Sequence, residues 1–384
     1  MILMQTKAIF IDAYRELNAK KLFWLTLGLN VIAVALFASI GINERGFTIL
    51  FWTFDGLFNT SIMSRETFYK FEFVTWGVPI WLSWGTVILA LVSTSGIIPD
   101  LVSGGTIEPI LSKPIGRIRL FLTKYLTGLL FVAAQILVFS TGCFLVLGIR
   151  AGAWEFGLFL AIPIIIAYFS YLFSFCVLIG IVTRSTITAL LLTIVFWLFV
   201  FVVHIADVSM VAERERTAIA LENAPAMVES QERFAQKRIE QLIEQGKPIP
   251  GQNGEPLPSG KVDSLEAINP TLKTARQKLI DAQRSFDSRN TWASRVYTLK
   301  LILPKTQETI GLLERNLIAS DELDGFINML NGLEDGDDNP DNELGERIDA
   351  VYSARTTIWI LGTSFIFEII LLGLSTIIFV RRDF

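Results

Sequence analysis

Apolar runs of membrane-spanning length alternate with short polar segments through the first two hundred positions, and one more such run closes the chain. A hydrocarbon core of ~30 Å takes about 20 apolar residues to cross as a helix. Leu22 to Ile42 meets that length, as do Val78 to Ile98, Leu120 to Ile149, Leu158 to Val182, Ile187 to Ile205 and Thr356 to Val380. The pattern therefore predicts six transmembrane helices. Phe47 to Phe58 is aromatic and apolar but short, and it carries Asp55, so it reads as an interfacial segment. Ahead of the first span, Ile9, Phe10, Ala13, Tyr14 and Leu17 recur at helical spacing between Lys7, Asp12, Arg15 and Glu16. Residues 1–21 thus predict an amphipathic helix lying in the membrane interface. Charges run through that stretch and no small-residue cleavage site follows the apolar run, so it does not read as a signal peptide.

The block from 206 to 355 has a different texture. Val211 to Gln245 is rich in Glu, Arg, Gln and Ala and stops at Gly246-Lys247-Pro248, a helix-ending signal. After a Pro/Gly loop, Leu272, Ala275, Leu279, Ala282 and Phe286 recur three or four apart, the stripe of an amphipathic helix. Two antiparallel helices packed as a hairpin or coiled coil are the simplest account. The run after Pro304 is amphipathic again and reads as resting on the membrane surface, and Leu344 to Arg355 predicts a helix leading into the last span. The organisation expected is 1–21 in-plane helix, 22–205 five spans, 206–355 helical insertion and 356–384 sixth span: an all-α integral membrane protein.

Composition agrees with this partition. Of the 384 residues 52% are hydrophobic, and the mean hydropathy of +0.51 is too apolar for an ordinary soluble protein. The net charge of -4 comes largely from the insertion and gives no reason to expect a nucleic-acid partner. Cys143 and Cys176 sit inside apolar runs and read as small core residues.

Sidedness follows from the Lys and Arg of the short loops. With the N-terminus inside, the inner segments carry Lys7, Arg15, Lys20, Lys21, Lys113, Arg117, Arg119, Arg184, Arg381 and Arg382. The outer loops hold only Arg45, Arg65, Lys70 and Arg150, mixed with carboxylates. Both termini are then expected in the cytoplasm and residues 206–355 outside it. Trp24, Trp52, Trp76, Trp81, Trp154 and Trp359 fall near expected interfaces.

Catalytic motifs are missing. There is no GxxxxGK[ST] phosphate loop, no HExxH and no CxxC, and a single histidine, His204, excludes sites that need two. A structural role for His204 is favoured over proton handling. Glu368 stands near the middle of the sixth run, where an ionised carboxylate costs ~2.5–3.5 kcal/mol. It is expected to face a partner inside the bundle or to stay protonated, either lining a translocation path or forming a helix interface. The acidic loop places Asp335, Asp337, Asn339, Asp341, Glu343 and Glu346 at the ligand positions of a calcium-type loop. Pro340 occupies the turn position where such loops use Gly, so no metal is assigned and a solvated linker is the default.

The segment Ile97 to Phe131 is a Gly- and Pro-punctuated loop between two spans, with its positive charges Lys113, Arg117, Arg119 and Lys124 in the second half. Gly104-Gly105 permit a sharp turn, Ile107, Ile110 and Leu111 make a short apolar face, and Pro114 breaks the element. The string SGGTIEPILSKPIGRIRLFLTKYLTGLL resembles the cytoplasmic loop of type-2 ABC exporter permeases, closest to those grouped as multicopper-enzyme-maturation permease components. Gly105, Ile107, Leu111, Ser112, Lys113, Pro114, Ile115 and Arg117 carry the match. The in-plane helix, the six spans and the missing ATPase motif fit the same group, over residues 1–205 and 356–384. The insertion is larger than the short outer segments usual there, which leaves the cargo open.

The resemblance implies a permease in a bacterial inner membrane, paired with a second permease copy and driven by a separate cytoplasmic ATPase. ATP and magnesium belong to that partner, and no cofactor binds this chain directly. Gly105, Ile107, Glu108, Leu111, Lys113, Pro114, Arg117 and Arg119 would form the loop that docks on it. The alternative is a structural or signalling membrane protein whose helical insertion acts on an extracytoplasmic partner.

Overall fold

A computed structural model of the chain describes residues 21–55, 59–103, 116–247, 265–266, 268–318 and 340–381, together with Ile11, Arg15 and Asn18; for 340–342 only the backbone is described. Six helices among the described residues are long and apolar enough to cross a membrane, and they fall on the six predicted runs. The first is α1 (Lys21–Ser39). The second, Arg65–Val102, is composite: α2 (Arg65–Glu72), a π-helical stretch (Phe73–Gly85), α3 (Thr86–Thr94) and α4 (Ile97–Ser103). The others are α5 (Arg117–Ala151), a 3-10 turn (Phe156–Leu160) with α6 (Ala161–Thr183), α7 (Thr186–Glu244) and, last, α11 (Thr357–Arg381). Between α7 and α11 lie α8 (Pro270–Ile302), α9 (Thr306–Ile318) and α10 (Pro340–Ser353).

The all-α reading needs one correction. After α1 the chain forms an antiparallel sheet, β1 (Ile40–Ile42), β2 (Gly46–Ile49) and β3 (Trp52–Asp55), with Ile40 opposite Ile49 and Phe47 opposite Phe54. The stretch expected to lie as an interfacial segment supplies two of these strands. Asn43 nucleates the first turn, its Oδ1 accepting from the N–H groups of Arg45 and Gly46, both at 2.9 Å, as Asx turns do. Tyr69 on α2 ties the sheet down by donating to the carbonyl of Ile40 at 3.0 Å.

Two compact units divide the chain: residues 1–202, 301–336 and 355–384, and residues 203–300 and 337–354. In the first, α6 is the central element. Its sequence, AIPIIIAYFSYLFSFCVLIGIVT, is apolar all round, which is the signature of a helix surrounded on every side. It packs against α5, α11, α9 and α4. The peripheral spans behave differently. α1 and α11 leave Leu25, Ile32, Leu36, Ile366, Ile369 and Ile370 exposed, the apolar surface a bilayer would cover. α7 joins through ring contacts, Phe196 stacked on Phe175 at 4.2 Å and Trp197 tilted against Trp84 at 4.5 Å.

In the second span Pro79 lacks the N–H that an α-helical turn would use, and the backbone widens to a π turn through Gly85. The widened stretch aims Trp81 at α1, where its indole donates to Asn30 Oδ1 at 3.0 Å. Gln135 of α5 donates to Thr26 Oγ1 at 3.0 Å. These bonds join three spans through side chains that lipid could not satisfy.

The sequence reading lays the run after Pro304 on the membrane surface, whereas the structure packs α9 against α6, the π stretch and α11. Ile310 and Leu313 enter the common core. Its polar groups are answered there: the backbone N–H of Lys305 donates to Ser364 Oγ at 2.9 Å, and Arg355 pairs with Glu308 at 3.1 Å with both side chains buried. An amphipathic pattern fits either a water surface or a buried pairing, and Arg355 decides for burial. Both cysteines are buried and free.

The second unit contains the predicted antiparallel pair. Gln231 meets Asn269, Glu232 meets Arg276, Glu213 meets Arg289 and Asp207 meets Lys300, so α7 and α8 run in opposite directions. Leu272 and Ala275 are buried and Leu279, Ala282 and Phe286 half-buried, so the predicted stripe is the packed one. His204 Nδ1 lies 3.2 Å from Lys300 Nζ, which donates to Asp207 Oδ2 at 2.6 Å. Tyr352 of α10 donates to the same carboxylate oxygen at 3.2 Å.

The Glu308–Arg355 pair yields a test. Removing one partner of a buried pair leaves an uncompensated charge and costs about 3–5 kcal/mol, whereas replacing both by apolar groups is far milder. Glu308→Ala is therefore expected to lower the thermal unfolding midpoint of the detergent-purified chain more than the double variant Glu308→Leu with Arg355→Met does.

Candidate functional site

Of the predicted loop residues, Gly105, Ile107, Glu108, Leu111, Lys113 and Pro114 lie outside the described residues, while Arg117 and Arg119 lie within them. Both segments that lead into and out of the loop are described, and each is held by the end of another span.

α4 leads in, with Ile97, Ile98, Leu101 and Val102 buried. Pro99 sits so close to α6 that a Cβ added to Gly180 would stand 2.8 Å from its Cγ, an approach only glycine permits. Asp100 Oδ1 accepts from Thr186 Oγ1 at 3.2 Å, at the first residue of α7. Thr186 is placed by a tight connection between the fourth and fifth spans. Arg184 takes a left-handed conformation (φ 54) and donates its N–H to Gly180 O at 2.9 Å. Ser185 then caps α7, its Oγ accepting from Thr188 N–H at 3.3 Å.

α5 leads out. Gly116 is extended and the helix starts at Arg117, whose Nη1 donates to the carbonyl of Val380 at 3.1 Å. That carbonyl belongs to the last turn of α11, where backbone acceptors lack helical partners and a cation is favoured by the helix dipole. Four residues along α5, the buried ring of Phe121 lies 5.6 Å from that of Phe379. Arg119 is half-buried and Lys124 buried. The loop is thus anchored to spans four and five on its ingoing side and to span six on its outgoing side.

Glu368 is buried between α5, α6 and α11. Its Oε1 accepts from Tyr125 Oη at 2.8 Å and its Oε2 from Ser170 Oγ at 2.7 Å. Tyr125 stacks on Phe173 at 5.2 Å, which fixes the ring that carries the hydroxyl. Two hydroxyl donors supply what water would give a carboxylate, and they lock three spans together at one point. Sequence reasoning supplied Glu368 but could not supply its partners, since Ser170 and Tyr125 are 198 and 243 residues away. Gly180 was also missed, and its only signal was a small residue near the end of a span.

The remaining candidates separate. Asp335, Asp337 and Asn339 lie outside the described residues; Asp341 and Glu346 fall in α10, which opens with Pro340 at its first position, where proline fits a helix. Among the described residues no three His, Cys, Asp or Glu side chains are placed to hold a metal ion.

A family model described as ABC-2 family transporter protein matches residues 21–253. No curated protein and no solved structure matches the chain. The matched stretch begins with the first span, includes the polar loop and its two anchored ends, and runs through the fifth span. The match spans well over half of the 384 residues, and together with six apolar helices it assigns the chain to the ABC-2 family of transporters, as a multi-pass membrane component of transport that is not itself catalytic.

Proposed function

We propose that the chain is the permease subunit of an exporter, working as a dimer with a second permease copy and driven by a separate cytoplasmic ATPase that binds magnesium and ATP. The loop bearing Glu108 docks on that ATPase from the cytoplasm, which puts both termini on the same side and the second unit outside. The observation that carries the reading is the double anchoring of the loop. A push on residues 104–115 is delivered through Pro99 and Asp100 to spans four and five, and through Arg117 to span six. Closure of the ATPase on nucleotide would then tilt several spans together, the rigid-body repertoire of alternating access. The size of the helical second unit favours a second reading, in which the same cycle acts on a partner outside the membrane.

In this scheme Glu368 lies either on the translocation path or at the helix interface that the tilt deforms. Its contacts with Tyr125 and Ser170 join the span that leaves the loop to the central and last spans.

Two outcomes are expected. Combining Glu108→Lys with Arg117→Glu in the reconstituted complex should leave the chain folded while ATP hydrolysis no longer drives transport; normal coupling would count against docking. Glu368→Gln should express at wild-type levels and transport more slowly, with Tyr125→Phe changed in the same direction by less, since one hydrogen bond is worth roughly 1 kcal/mol. Wild-type transport by Glu368→Gln would remove the case for a functional carboxylate.

A further inference from the structure

A cavity of about 270 Å³ opens between the three-stranded sheet, the start of α2 and the end of α5. Arg65 and Arg150 line it with Tyr69 and Thr48, while Leu50 and Phe51 form its apolar side; no acidic residue is among the lining. Glu72, one turn beyond Tyr69, feels the charge of Arg150 but lies outside the cavity.

The polar wall is built and not incidental. Arg150 is fixed by donating to the carbonyl of Ala38 at the end of α1, and its guanidinium lies 6.0 Å from the centre of the Tyr69 ring. Its Nη2, Thr48 Oγ1 and Tyr69 Oη converge on Gly41: a Cβ added there would stand 3.0, 3.0 and 3.1 Å from them. Arg65 is exposed and makes no hydrogen bond or ion pair with the described residues. Two cations and the Thr48 hydroxyl face one space with no carboxylate among its lining, while the Tyr69 proton is committed to the Ile40 carbonyl; that charge balance suits an oxyanion.

The other wall is equally distinctive. Leu50 and Phe51 form the two-residue turn between Ile49 and Trp52. Leu50 takes a φ of 55, a conformation that costs a non-glycine residue about 1–2 kcal/mol. Leu50, Phe51 and Trp52 are 60%, 96% and 71% exposed. The strained turn holds apolar side chains at the mouth of a cationic cavity, beside the ends of the first and third spans. The cavity is smaller than the ~300–1,000 Å³ that encloses a drug-sized ligand, so it fits a head group and leaves any chain outside against the turn.

We propose that this cavity binds a phosphate-class oxyanion, the head group of an anionic amphiphile whose apolar chain lies along Leu50 and Phe51. A free phosphate shares the head-group chemistry. The proposal does not depend on the transport reading, and its test needs no ATPase.

The test uses the full-length chain in mild detergent. Native mass spectrometry measures retention of short-chain phosphatidylglycerol against phosphatidylcholine, and calorimetry measures inorganic phosphate. Phosphatidylglycerol is expected to bind in preference to phosphatidylcholine. Arg65→Gln should weaken it roughly tenfold, the loss of one charge-assisted contact, while Arg65→Lys, which keeps the charge, retains most of the affinity. Phe51→Ser should weaken the lipid and leave phosphate unchanged if the occupant is an amphiphile. Phosphate binding as tightly as the lipid, with the same dependence on Arg65, would support the oxyanion site and assign it to the free ion. Equal retention of the two lipids without phosphate binding would overturn the site, as would an Arg65→Gln variant that unfolds at the wild-type temperature and binds unchanged.

Discussion

A polar side chain inside a bilayer has no water to turn to, and the arrangement of this chain follows from a few such groups that find partners on another span. Glu368 is the sharpest case. With its two oxygens held by Tyr125 and Ser170, the carboxylate can sit in the sixth span only where α5 and α6 both reach it. Asn30 with Trp81 and Gln135 with Thr26 impose the same condition on the first three spans. Glu308 with Arg355 imposes it on α9. Dispersion packs the apolar faces in any of several rotations, whereas these paired groups select one. The central position of α6 is the geometric result, because it packs against spans three and six together with α4 and α9.

That scaffold gives the polar loop its meaning. A loop tethered only by its own backbone would absorb a push by bending. Here the ingoing end is wedged at Gly180 and bonded to Thr186, and the outgoing end is bonded to the last turn of α11. Force applied to the loop therefore has spans four, five and six to act on, and Glu368 already ties spans four and six to span three, which leaves the loop.

The spans were legible because twenty apolar residues have few other uses. The α7–α8 pair was legible from its stripe of Leu272 and Ala275. The sheet was missed because its strands are only three and four residues long, too short for alternation to be distinguished from an aromatic interfacial run. α9 misled because amphipathicity states that a helix has two faces without stating what meets the polar one. Arg355 is 47 residues from Glu308, and nothing in either residue's neighbourhood announces the other. The same distance problem hid Val380 from Arg117 and Ser170 from Glu368. Local pattern gave the elements, while the site depended on pairings between them.

Whether the anchored loop connects this permease to an ATPase is read most directly from what stays bound when the chain is extracted from its native membrane in mild detergent. A subunit that carries a nucleotide-binding phosphate loop is expected to co-purify and to be released when Arg117 is replaced by Glu. Extraction of the chain with an external partner alone, and no nucleotide-binding subunit, would contradict that connection.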